Sequence, residues 1–167
     1  MHRGLKPLLL AAAALALAGC STSAPPQVTF FSHGHSAEVE PAQFCGQGGE
    51  HCVPPPHDPT GRLAVPPHAP LQVSVPGQVA ETPWQIAFIY STANGEQRSG
   101  RTPVFAPNTH YAYTLKLPPD GAKIEHVEVQ QYSGQLVQTP EGGLAFGIGG
   151  SWLLDARAAP PEGSPSQ

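Results

Sequence analysis

Apolar residues alternate with polar ones along much of this chain, and that period of two predicts β-strands. Leu71, Val73 and Val75 alternate with Gln72 and Ser74 as a half-buried strand. Trp84, Ile86, Phe88 and Tyr90 share one face of a second strand, with Gln85, Ala87 and Ile89 on the other. Both of its faces are largely apolar, so it reads as a central strand. Tyr111, Tyr113, Leu115 and Leu117 give the cleanest alternation, against Ala112, Thr114 and Lys116. In the strand from Ile124 to Tyr132, Val127 and Val129 point inward and Glu128 and Gln130 outward.

Turn chemistry separates these runs. Gln27–Phe31 and Ser36–Glu40 form a hairpin around Gly34, and Asn94-Gly95 marks a second hairpin because both residues tolerate φ > 0. That turn leads into a polar strand near Glu96–Thr102, closed by Val104-Phe105, and Pro118-Pro119-Asp120-Gly121 ends the strand at Leu117. Leu63-Ala64-Val65 reads as a short strand in a proline-rich stretch from Pro41 to Pro70. Gly147-Ile148-Gly149-Gly150 reads as a bend before a last strand, Ser151–Ala156. About eight short strands at this spacing, with no long helical pattern, predict an all-β, immunoglobulin-like β-sandwich. Trp84 fits its buried core.

The N-terminus follows a different pattern. Arg3 and Lys6 precede an apolar run from Leu8 to Ala18, and Ala18-Gly19 are the small residues a signal peptidase accepts. The run is shorter than the roughly 20 apolar residues that span a bilayer. Cys20 directly after Leu17-Ala18-Gly19 resembles the lipobox of bacterial lipoproteins. The resemblance implies cleavage between Gly19 and Cys20, acylation of Cys20 with palmitate-type chains, and a mature protein held on the extracytoplasmic face of the cell membrane. Each buried methylene of such an anchor contributes about 0.8 kcal/mol. The organisation expected is a signal peptide over 1–19, a tether over 20–27, a β-sandwich over 28–157 and a disordered tail over 158–167.

Charge and cysteine content narrow the function classes. The chain of 167 residues has 8 Lys and Arg against 12 Asp and Glu. Loss of Arg3 and Lys6 with the leader leaves 6 basic residues and a formal charge of −6, which argues against nucleic acid as a partner. With 21 Pro and 18 Gly, the composition disfavours long helices. Setting Cys20 aside leaves Cys45 and Cys52, an even pair in an exported chain, for which a disulfide is expected. A redox or metal role is the competing reading, but redox pairs usually stand closer, as Cys-x-x-Cys.

Several blocks carry a more specific likeness. Val73-Ser74-Val75-Pro76, Ala80-Glu81-Thr82-Pro83-Trp84, Gly100-Arg101-Thr102-Pro103-Val104-Phe105 and His110-Tyr111-Ala112-Tyr113-Thr114-Leu115 resemble a family of small actinobacterial, mycobacterial-type lipoproteins. The Val127–Gln131 strand, the Ser151-Trp152 strand and the short cysteine loop fit it too. The likeness runs from about Val28 to Leu154. The family is catalogued as a domain of unknown function, so the resemblance implies an exported lipoprotein and brings no catalytic residues.

Candidate chemistry is sparse. His33, His35, His51, His57 and His68 fall in the first half of the mature chain, and His33-Gly34-His35 at a turn could present two imidazoles together. A metal site needs at least a third ligand. Gly149-Gly150-Ser151 lacks the Gly-x-Ser-x-Gly elbow, and no glycine-rich loop ends in Gly-Lys-Ser or Gly-Lys-Thr. Glu81 beside Trp84 could mark a sugar-binding surface, against the alternative that Trp84 is core. The reading that follows is a non-catalytic interaction module without cofactor. Its partner would be another envelope protein or a cell-wall polymer, with Arg98 and Arg101 on the polar strand as the contact edge. The alternative is a copper- or zinc-handling lipoprotein using His33, His35 and a third loop histidine.

Overall fold

The computed structural model describes residues 24–45 and 52–157. Its strands are β1 (Val28–Ser32), β2 (His35–Val39), β3 (Gln43–Cys45), β4 (Cys52–Val53), β5 (Thr60–Arg62), β6 (Leu71–Ser74), β7 (Trp84–Thr92), β8 (Gln97–Arg101), β9 (Ala112–Leu115), β10 (Gly121–Gln138) and β11 (Leu144–Asp155). A single helical turn, α1 (Gly77–Ala80), joins β6 to β7. One sheet has the order β2-β1-β6-β9 and the other β4-β3-β11-β10-β7-β8. Every pairing is antiparallel except β5 with β11.

The two sheets make the expected β-sandwich, because each strand buries alternate side chains against the facing sheet. Val28 and Phe30 of β1, Leu71 and Val73 of β6 and Leu115 of β9 meet Trp84 and Ile86 of β7, Val127 and Val129 of β10 and Trp152 and Leu154 of β11. All are at most 2% exposed, each large aliphatic contributing roughly 1.5–3 kcal/mol by burial. Without β2–β5, the order β1-β6-β9 facing β11-β10-β7-β8 follows the A-B-E and G-F-C-C′ strands of immunoglobulin-like domains. Residues 35–62 are then an insertion between the first two framework strands.

Both tryptophans lock one sheet to the other through their single N–H donor. Trp84 Nε1 donates to the His110 carbonyl at 3.1 Å, and Trp152 Nε1 to the Pro26 carbonyl at 2.8 Å. Phe105 packs on Trp84 with centroids 4.6 Å apart, and Phe44 on Trp152 at 6.1 Å. Pro26 lies in the stretch expected to be tether, yet it is buried, so ordered packing begins two residues before β1.

Other differences have local causes. The strand expected at Leu63–Val65 sits three residues earlier, as β5; Leu63 and Val65 are buried in an irregular segment whose N–H groups reach Asp155 and Ala156 carbonyls. The glycine bend expected before Ser151 is instead continuous strand, and β11 begins at Leu144. Its glycines sit where a side chain would collide: a Cβ on Gly150 would lie 2.8 Å from the Trp152 ring, and one on Gly147 3.0 Å from Ser133 Oγ. Low side-chain volume explains Gly147 and Gly150, while Gly149 is the extra residue of a β-bulge opposite Gln131 and Tyr132, which bends the strand locally. The Asn94-Gly95 hairpin forms, but only Gly95 has positive φ, at +80°. Thr92 and Glu96 close a three-residue loop, the form with one left-handed residue.

Candidate interaction surface

The larger sheet buries one face and leaves the other open, and a shallow trough of about 520 Å³ crosses that open face from β8 to β5. Strand register sets its rows. Arg101, Ala87, Glu128, Leu153 and Thr60 lie abreast on β8, β7, β10, β11 and β5. Ser99, Ile89, His126 and Asp155 form the next row. Neighbouring strands stand about 4.8 Å apart, so Arg101 and Glu128 are separated by about 10 Å across Ala87. The trough therefore has a cationic rim, an apolar middle at Ala87 and Ile89, and an acidic and imidazole side.

A side-chain relay fixes the acidic member. Gln85, only 4% exposed, donates to Gln130 Oε1 at 2.8 Å, and Gln130 donates to Glu128 Oε2 at 2.8 Å. Glu128 is thus held by a donor that is itself held. On the same face, burial pushes the Asp155 carboxyl up. The Arg157 backbone N–H and guanidinium, with the charge of His126, outweigh that and leave it below its ordinary value.

The two arginines expected as a contact edge do lie on the outermost strand, β8, but the structure does not bring them together. They are three positions apart, so their side chains leave opposite faces. Arg98 pairs in register with the buried Tyr90 and is bound to Glu96 at 3.1 Å and Asp120 at 2.5 Å. Glu96, by hydrogen bond and charge, and then Asp120 raise its already high pKa further. Arg101 opens onto the trough, and among the described residues it has no ion-pair partner.

The other expected residues are dispersed. Cys45 and Cys52 are joined by a disulfide, as adjacent cross-strand partners on β3 and β4. Gly19, Cys20, His51 and the tail from residue 158 lie outside the described residues. His33 occupies the β1–β2 turn at φ 52°, with His35 opening β2; His57 and His68 are exposed elsewhere. Among the described residues, no group of three or more His, Cys, Asp or Glu could hold a metal ion. Trp84 is fully buried, which removes it from any sugar-binding surface with Glu81. His110 Nδ1 lies 2.9 Å from Thr109 Oγ1, but that hydroxyl also donates to the Ala106 carbonyl at 2.7 Å, so the contact closes a turn.

His126 and Asp155 escape a simple reading of alternation. A bulge between Ile124 and His126 shifts the phase of β10. It lets Ile124 and Val127, three apart, both enter the core, and turns His126 outward beside Glu128. The bulge has no glycine or proline to announce it.

Residues 21–145 match the model of DUF2771, described as a protein of unknown function. Uncharacterized proteins of Mycobacterium tuberculosis and Mycobacterium bovis are 27% identical to the chain over 123 residues, covering 69% of it and 72% of their own length. No solved structure matches.

Proposed function

The chain belongs to the DUF2771 family, and from that premise we propose that it is a membrane-anchored lipoprotein of the cell envelope acting as a non-catalytic interaction module. Cys20 carries the lipid, and the open face of the larger sheet receives the partner, an envelope protein or a cell-wall polymer. The observation that carries the reading is the placement, on one sheet face, of Arg101, which has no ion-pair partner among the described residues, two strands away from a Glu128 held by Gln130. Groups held by regular strands lose little conformational freedom on binding, so a shallow surface can still be selective. The spacing of about 10 Å, with an apolar floor between opposite charges, suits an extended polar segment rather than a small enclosed molecule.

The two arginines supply the experiment. The acylated chain, carrying a tag in its C-terminal tail, is incubated with solubilised envelope and with purified cell-wall polymer. Arg101→Glu is expected to lower capture at least tenfold, the effect of losing a charged contact of roughly 1.4 kcal/mol or more. Arg98→Glu, on the other face, should leave capture unchanged. Equal capture by wild type and Arg101→Glu would remove the trough from the reading.

A further inference from the structure

We propose that the β10–β11 hairpin arm is a second membrane contact, whose apolar face rests in the interfacial layer of the bilayer. The inference rests on the anchoring part of the proposed function but concerns a different surface from the trough. Beyond Gln131, β10 loses its pairing with β7, and before Gly150, β11 has no pairing with β3. The two strands continue as a two-stranded arm over residues 132–148. Leu136 pairs with Phe146 and Gln138 with Leu144, so Leu136, Leu144 and Phe146 share one face. They are 59%, 70% and 59% exposed. Glu141, at the tip, is the single charged residue between Tyr132 and Ile148. At the base, Phe146, Val104, Pro83 and Tyr132 line an apolar groove of about 630 Å³.

The place where the chain enters the fold selects lipid as the occupant. Thr29 pairs with Ser74, Ser74 with Ala112, and Trp84 with Gln131, while Trp84 Nε1 reaches His110. The start of β1 and the root of the arm therefore share one end of the sandwich. Pro26 is pinned there by Trp152. Six residues from Cys20 to Pro26 span at most about 20 Å, so an acylated Cys20 keeps this end within about 20 Å of the bilayer surface. The arm, with Tyr132–Gln138 on β10 and Leu144–Ile148 on β11, also extends about 20 Å. The unpaired outer edges of its backbone need polar partners, which the headgroup layer provides and the hydrocarbon core does not.

The test places a reporter on the arm. The full chain carrying Leu144→Trp, and separately Phe146→Trp, is reconstituted into phosphatidylethanolamine–phosphatidylglycerol vesicles. Part of the lipid is brominated near the carbonyl end of the acyl chains. The introduced emission should fall roughly twofold relative to unbrominated vesicles, as expected for an element about 5–10 Å deep. Ser99→Trp, in the trough, should be unaffected. No quenching at Leu144 or Phe146 in the vesicle-bound chain overturns the proposal, as does equal quenching at Ser99. An arm emission that shifts to the blue with rising protein concentration in lipid-free solution, and is not quenched by brominated lipid, would overturn the proposal and assign the face to a second copy. Loss of acylation in Cys20→Ala is read separately by radiolabelled palmitate, so failure of the anchor and failure of the arm are distinguishable.

Discussion

Trp152 donates its indole N–H to the carbonyl of Pro26, 126 residues earlier in the chain, at 2.8 Å. The bond joins β11 of the larger sheet to the segment that leads into β1 of the smaller one, in a site where neither group meets water. It fixes where the N-terminal segment joins the fold, at the end of the sandwich that also holds the root of the β10–β11 arm. Trp152→Phe keeps most of the ring and leaves the Pro26 carbonyl without its partner. The expected cost is about 1–3 kcal/mol, measured by urea unfolding, with faster amide exchange at Gln27 and Val28. Trp152→Ala should cost roughly 3–5 kcal/mol. Wild-type stability in Trp152→Phe would mean that packing alone holds the segment.

The disulfide closes a short loop in the insertion between β2 and β5. Replacing both Cys45 and Cys52 with Ser should lower stability by about 2–3 kcal/mol through the released loop entropy. In the wild-type protein both cysteines should resist alkylation until a reductant is added. Free thiols in freshly isolated protein would contradict the pairing.

Gly150 is held to be small by its neighbours. A Cβ there would lie 2.8 Å from the Trp152 ring and 2.9 Å from Gln131 Oε1, and Gln131 in turn donates to the carbonyls of Gln78 and Val79. Gly150→Ala should cost about 1–3 kcal/mol by overpacking. Gly134→Ala, with no atom within 4 Å, is the matched control and should be close to neutral. Equal stabilities in thermal unfolding would show that β11 can shift to accept the methyl group.

Asp155 titrates low because Arg157 is bonded to it, at 3.3 Å from the guanidinium Nε and 3.0 Å from the backbone N–H. A carboxyl with a depressed folded-state pKa contributes stability that is complete above its unfolded value and is lost as pH falls through the folded one. Arg157→Gln should therefore move the Asp155 titration upward in a carbon-13 NMR pH series and slightly weaken the fold at neutral pH but not in strong acid. An unmoved titration would assign the shift to the backbone N–H and His126 alone.

His33 and His35 supply the remaining contrast between function classes. If the chain is an interaction module, replacing both with Ala leaves zinc and copper binding, followed by calorimetry, where it was. A clear loss of affinity would favour the metal-handling alternative.

The fold was largely legible because period-two alternation is a direct consequence of one buried face. Leu71–Val75, Trp84–Tyr90 and Tyr111–Leu117 each announced a strand near its observed position. The arm was hidden for the opposite reason: residues 132–148 expose apolar side chains and contain four glycines, so no buried stripe contrasts with a polar one. The trough was half legible. Arg101, Glu128 and Gln130 followed from alternation, whereas His126 depended on a bulge and Asp155 on the register of β11 with β10. The separation of Arg98 from Arg101 was available from their odd spacing.

In the proposed function, an anchored chain meets its partner through the open face of the larger sheet. A photo-crosslinking residue placed at Ser99 in living cells tests it most directly, with Thr114 on the smaller sheet as the control site. A discrete adduct with one envelope component is expected from Ser99, absent from Thr114 and lost in Arg101→Glu and in Cys20→Ala. The same background of adducts from both sites, unchanged by either substitution, would contradict it.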